Sequence, residues 1–126
     1  AHNATFDWNF VSAELVRANL DVPTVPKLCT VRMVRRLVST LRHRNLDVVT
    51  RHFGIEIDGR HRAYGDAFAT ARVLLRLLDG AAGRGIEDLA TLQWYLKRRR
   101  QGKAFDPEQF SLELLGPESQ TRKRRP

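Results

Sequence analysis

Phe6, Phe10, Val11, Leu15 and Val16 recur at near-helical spacing, which predicts a helix from Phe6 to about Leu20. The two prolines of "DVPTVPKL" are expected to stop it. Next, "KLCTV" has the make-up of one short strand, and "RMVRRLVSTL" reads as a helix with arginine and histidine on its polar side. "NLDVVTRHFGI" opens on an asparagine cap and closes on a glycine, the signature of another helix. The polar turn "EIDGRHRA" leads into the longest helix, from about Tyr64 to Asp79, with Ala67, Ala71, Leu74, Leu75 and Leu78 expected to face a core. "GAAGRG" at 80–85 reads as a hinge, and "IEDLATLQWYLKRRR" as a further helix. "DPEQFSLELLG" reads as a helix with Asp106 as cap and Pro107 at its first position. The tail "PESQTRKRRP" is too polar to bury a core and reads as disordered.

This pattern divides the chain into residues 1–79, a hinge at 80–85, a helical extension over 86–116 and a basic tail over 117–126. Taken alone, it is almost all helix. With 126 residues and 42% hydrophobic content the chain is long enough for one core, and no apolar run reaches the roughly 20 residues that span a bilayer. A membrane partner is therefore not expected.

A single cysteine, Cys29, excludes an internal disulfide and a cysteine-rich zinc site, which fits a soluble protein of the reducing cytoplasm. No secretory leader is visible, and the missing initiator Met points to an incomplete N-terminus. Net charge is +8, and residues 97–126 hold nine Lys/Arg against four Asp/Glu. A polyanion is the natural partner for that excess; a solvated basic tail is the plainer reading.

Two places carry candidate chemistry. His61 and Asp66 form the pattern H-x-x-x-x-D, with the histidine in a turn and the carboxylate in the opening turn of the long helix, where the helix dipole favours its charge. Gly65 beside them permits close backbone approach. Asp7, between Phe6 and Trp8, falls in the first turn of the first helix. An exposed histidine and two helix-start carboxylates would look the same without any catalytic role.

Taken together, "HNATFD" at 2–7, "CT" at 29–30 and "HRAYGD" at 61–66 resemble the second and third motifs of the DEDDh family of 3′-to-5′ exonucleases, which includes the proofreading epsilon subunit of bacterial DNA polymerase III. The resemblance covers residues 1 to about 79. It implies an α/β, RNase H-like fold, of which this chain holds the mostly helical C-terminal part. The implied activity is hydrolysis of a single-stranded DNA 3′ end in proofreading or repair, with two divalent metals, Mg²⁺ or Mn²⁺, as cofactors.

By the same resemblance Asp66 would hold the metal beside the attacking water, Asp7 would serve the second metal, and His61 would be the general base. Asn3, Phe6 and Tyr64 would lie near the terminal nucleotide, although Phe6 also reads as a plain core residue. A polymerase subunit is an implied partner, and the implied location is cytoplasmic and nucleoid-associated. RNA, as in oligoribonuclease-like relatives, is the alternative substrate.

The family's first motif, an Asp-x-Glu on the first strand, supplies two further carboxylates and is missing here. "DPE" at 106–108 has a central proline unsuited to an interior strand, and "EID" at 56–58 reverses the order. "AHNA" resembles the end of a fourth strand. An incomplete metal site, little activity of the chain alone, exposed apolar helix faces and self-association are the expectations. If the motif is lost for good, the alternative is a non-catalytic module that binds nucleic acid or a sliding clamp.

Two features beyond residue 85 suit such binding. "LQWYLKRRRQGK" sets Trp94 and Tyr95 beside Arg98 and Arg99, which could stack on bases and touch phosphates; equally, the cations could favour a helix C-terminus while an aromatic packs inward. "QFSLELL" is similar to peptides that dock on the bacterial sliding clamp, with Gln109, Leu112, Leu114 and Leu115 at the matching positions. A simple amphipathic helix is the alternative for that stretch.

Overall fold

A computed structural model describes residues 1–59 and 62–97. Within them lie five helices and no strand: α1 (Ala4–Arg17), α2 (Thr30–Leu37), α3 (Leu46–His52), α4 (Ala63–Ala82) and α5 (Leu89–Lys97). α2 and α3 pack on the buried row of α4 and α5 packs on α2, and the core contains Met33, Val34 and Leu37 from α2, Val49 from α3, Val73, Leu77 and Ala81 from α4, and Leu92 from α5. Ile55 and Ile86 close it from the turns after α3 and α4.

Those two isoleucines are placed by the way their helices end. After α3 the Gly54 N–H donates to Arg51 O (3.2 Å) and the Ile55 N–H to Thr50 O (2.8 Å), with Gly54 at φ 63. This is the paired exit in which a left-handed residue turns the chain back and the next residue packs on the helix. The same pair of bonds follows α4, from Gly85 to Ala82 O (2.9 Å) and from Ile86 to Ala81 O (3.1 Å).

α1 also ends this way, from Asn19 to Val16 O (3.0 Å) and from Leu20 to Leu15 O (2.9 Å), with Asn19 at φ 58. The helix is thus stopped at Arg17 by a left-handed asparagine, and the prolines expected to stop it lie farther on. At the starts, Asn45 caps α3 by accepting from the Val48 N–H at 3.0 Å. Asp88 accepts the Thr91 N–H at 2.9 Å before α5. Thr91's hydroxyl and N–H, both donating to that carboxylate, hold its pKa below the usual range.

Several expectations are corrected. "KLCTV" is not a strand, because α2 already begins at Thr30. The segment instead makes one pair of bonds with Ala1: the Ala1 amine donates to Leu28 O at 3.2 Å, and the Thr30 N–H donates to Ala1 O at 3.1 Å. That spacing is one rung of a parallel ladder between residue 1 and residue 29. After Ala1 the chain turns away from this pairing, since Asn3 is left-handed at φ 68 and α1 starts at Ala4.

α4 buries Gly65, Ala69, Val73, Leu77 and Ala81; of the residues expected to face the core, Leu74 packs against it partly buried. Leu75 is 61% exposed, and Ala67 and Ala71 are exposed as well. α4 is apolar around much of its circumference, so spacing alone does not select the row that meets α2 and α3. The hinge expected at 80–85 is helical through Ala82. Ile86 and Leu92, beyond it, share the core with α2 and α4.

α1 buries none of its residues. Phe6 is 60% exposed and Phe10 61%, which overturns the reading of Phe6 as core. Tyr64, Phe68, Leu75 and Leu78 make a second apolar stripe on the outer side of α4. The expected exposure of apolar helix faces is therefore seen.

Candidate active site

Asp7 and Asp66 occupy equivalent places, each in the first turn of its helix, α1 and α4. There the unpaired N–H groups and the dipole favour a negative charge. Asp7 is exposed and Asp66 half-buried. The ion pair formed among the described residues, Arg17 with Glu14 at 2.8 Å, involves neither. Both are hard oxygen donors open to a ligand, although no three His, Cys, Asp or Glu side chains gather into a metal-binding group among the described residues.

Gly65 explains how Asp66 is positioned. The Arg62 N–H donates to Gly59 O (3.0 Å) and the Asp66 N–H to Arg62 O (3.1 Å), which ties Gly59 to the start of α4. A Cβ at position 65 would lie 2.7 Å from Gly59 O and closer still to Asp58 O. The close approach expected at Gly65 is therefore present. Tyr64, 80% exposed, stacks on Phe68 with ring centroids 6.1 Å apart. Phe6 meets Phe10 edge-on at 4.9 Å.

Asn3 sits at the left-handed N-cap of α1 without a side-chain cap bond. His61, Arg98, Arg99, Gln109, Leu112, Leu114 and Leu115 lie outside the described residues. Of the two readings of the Trp94–Tyr95 pair, inward packing holds for Tyr95. It packs against the core, its hydroxyl donates to Arg36 O at 3.3 Å, and the Arg36 guanidinium lies 4.6 Å from its ring centre.

His2 is a residue that sequence reasoning misses. Its Nε2–H donates to Arg44 O at 2.8 Å, while Nδ1 lies 2.8 Å from the Thr30 hydroxyl. It thereby ties the segment before α1 to the start of α2 and to the turn before α3. Burial lowers the imidazole pKa below its usual value, more than the Arg44 carbonyl raises it. Folding therefore favours the neutral ring, and below about pH 6.5 the unfolded chain takes up a proton that the folded chain resists, which lowers stability. The "H" of "HNATFD" is visible in the sequence, but its partners 28 and 42 residues away are not.

Cys29 stands at the meeting of α1 and α2. Burial pushes its thiol up, but the N–H groups of Arg32, Ala4, Asn3 and Val31 outweigh this and bring it below the usual thiol value.

Helix-start carboxylates on a strongly basic chain are donors of the kind that a metal-assisted phosphodiester hydrolase uses. The chain belongs to the exonuclease family, whose profile matches residues 1–74. It is 34% identical over 105 residues to a Mycobacterium tuberculosis protein named as a putative bifunctional exonuclease/endonuclease, a match that covers 82% of this chain and 16% of that protein. It is 36% identical over 93 residues to the PolC-type DNA polymerase III of Streptococcus pneumoniae, covering 73% of this chain and 6% of the polymerase. The PolC-type enzyme of Halalkalibacterium halodurans is 35% identical over 86 residues, covering 68% and 6%. The chain thus spans 16% or less of the length of these relatives. No solved structure matches it. Membership gives an RNase H-like fold, to which the described residues contribute helices.

Proposed function

We propose that this chain is part of a metal-dependent 3′-to-5′ exonuclease of the DEDDh type, acting on single-stranded DNA ends alongside a replicative polymerase. The observation that supports this best is that Asp7 and Asp66 each stand in the first turn of a helix, both clear of ion pairs among the described residues. Their carboxylates suit Mg²⁺ or Mn²⁺, which when bound supplies charge for activating water and steadying the leaving oxygen. Asp66 would hold the ion on the water side and Asp7 the second ion. His61, five residues before Asp66, would take the proton from water.

Asn3, Phe6 and Tyr64 would border the terminal nucleotide. The exposure of Phe6 and Tyr64 supports that role, because stacking needs a free ring face. The parallel rung at Ala1 supports a sheet beside these helices, since parallel sheets are covered by helices on their faces. The PolC-type relatives support DNA as substrate and a polymerase as partner. Docking of "QFSLELL" on a sliding clamp remains part of the proposal, as does an Mg²⁺- or Mn²⁺-dependent site completed by an Asp-x-Glu pair.

The chain alone is expected to shorten a 5′-labelled strand no faster than buffer does, because two carboxylates give half the charge of the proposed site. Replacing the matched segment of the mycobacterial relative with residues 1–97 tests the assignment in a longer protein. Asp66→Ala in that chimaera should slow Mg²⁺-dependent 3′ trimming by at least about 100-fold, the scale of a lost charge-stabilising group. Trimming that survives both Asp66→Ala and Asp7→Ala would contradict the reading.

A further inference from the structure

A shallow, open pocket of about 60 Å³ lies between the start of α2 and the face of α5, lined by Lys27, Leu28, Cys29, Arg32, Gln93, Leu96 and Lys97. Three of those side chains are cationic and none is acidic. Lys27, Arg32 and Lys97 are all exposed, so their charges are available to a ligand. The pocket is open to one side, so a phosphate on a passing strand can reach the three cations without entering an enclosed cavity.

Its position matters as much as its charge. The Lys27 ammonium lies 4.3 Å from the ring centre of Trp8, the residue next to Asp7. Cys29, in the pocket wall, receives N–H groups from the starts of both α1 and α2. The pocket therefore adjoins the first turn of the helix that carries Asp7. Lys97, on its far side, is followed in sequence by Arg98, Arg99 and Arg100.

We infer that this pocket is a phosphate-backbone subsite, in which Lys27, Arg32 and Lys97 grip a single nucleic-acid strand as it leads away from the Asp7 end of the site. The inference rests on the nucleic-acid reading above and adds to it residues outside the three motifs. Ammonium and guanidinium groups on flexible stems hold phosphates without reading bases, so the grip is indifferent to sequence. It steadies the strand while leaving the terminal nucleotide to Asp7 and Asp66.

The test is binding of a fluorescein-labelled single-stranded DNA to the full chain in EDTA, followed by anisotropy across a salt series. Lys27→Gln with Arg32→Gln should weaken binding by about tenfold and reduce the salt slope by about 0.7 for each phosphate no longer neutralised. Lys97→Gln alone should act in the same direction with a smaller effect. Arg76→Gln, on an exposed part of α4, should leave affinity within about twofold, as a surface cation away from the strand would. If the wild-type chain binds and the double variant matches it, the subsite is overturned and the nucleic-acid reading stands. Failure of the wild-type chain to bind at all overturns both. Circular dichroism of each variant separates a weakened grip from a disrupted fold.

Discussion

Gly65→Ala is expected to lower unfolding free energy by about 2–3 kcal/mol, the scale of a forced overlap in a packed site. The added methyl would meet backbone carbonyls at Asp58 and Gly59, which cannot rotate away as a side-chain tip would. Relief requires the 58–59 turn to move off the first turn of α4, and Asp66 moves relative to that turn. Gly80→Ala is the matched control, because it lies in the same helix with nothing within 4 Å of a new Cβ. It should stabilise by about 0.5–1 kcal/mol, since alanine is the better helix former. Urea unfolding of both variants reads the two effects, and a Gly65→Ala chain as stable as the parent would show that the close approach is not a constraint.

Leu77→Ala should cost about 3 kcal/mol, within the range for truncating a buried leucine. Leu77 is 1% exposed and belongs to one cluster with Met33, Val34, Val49 and Val73, so its removal leaves a cavity at the meeting of α2, α3 and α4. Against a typical stability of about 5–15 kcal/mol this is a large fraction. Leu75→Ala, two residues earlier but 61% exposed, should stay within about 0.5 kcal/mol. Equal urea midpoints for the two variants would contradict the burial of the Leu77 row.

That same pair shows where the sequence is legible. Spacing locates all five helices approximately, because a period near 3.6 survives errors of a few residues at each end. It does not select Leu77 over Leu75, since α4 carries leucines on both sides and only its neighbours decide which row is buried. Asp7 and Asp66 are placed in their first turns correctly, because a cap and a dipole act within one turn of the chain. The His2 clamp and the Lys27–Arg32–Lys97 pocket are invisible for the opposite reason. Each joins segments separated by dozens of residues, and no local pattern records such a meeting. The exposed ring of Phe6 reads as core because apolarity marks a surface to be covered without saying by what.

The proposed function requires that Asp7 and Asp66 belong to one divalent-metal centre. Substoichiometric Mn²⁺ added to isotopically labelled chain tests it most directly, because the paramagnetic ion broadens nearby amide resonances even when binding is weak. Early broadening is predicted at the first turns of both α1 and α4, reduced at both places by Asp66→Asn and by Asp7→Asn. Broadening centred on other carboxylates such as Asp21 or Glu87, unchanged in those variants, would contradict it.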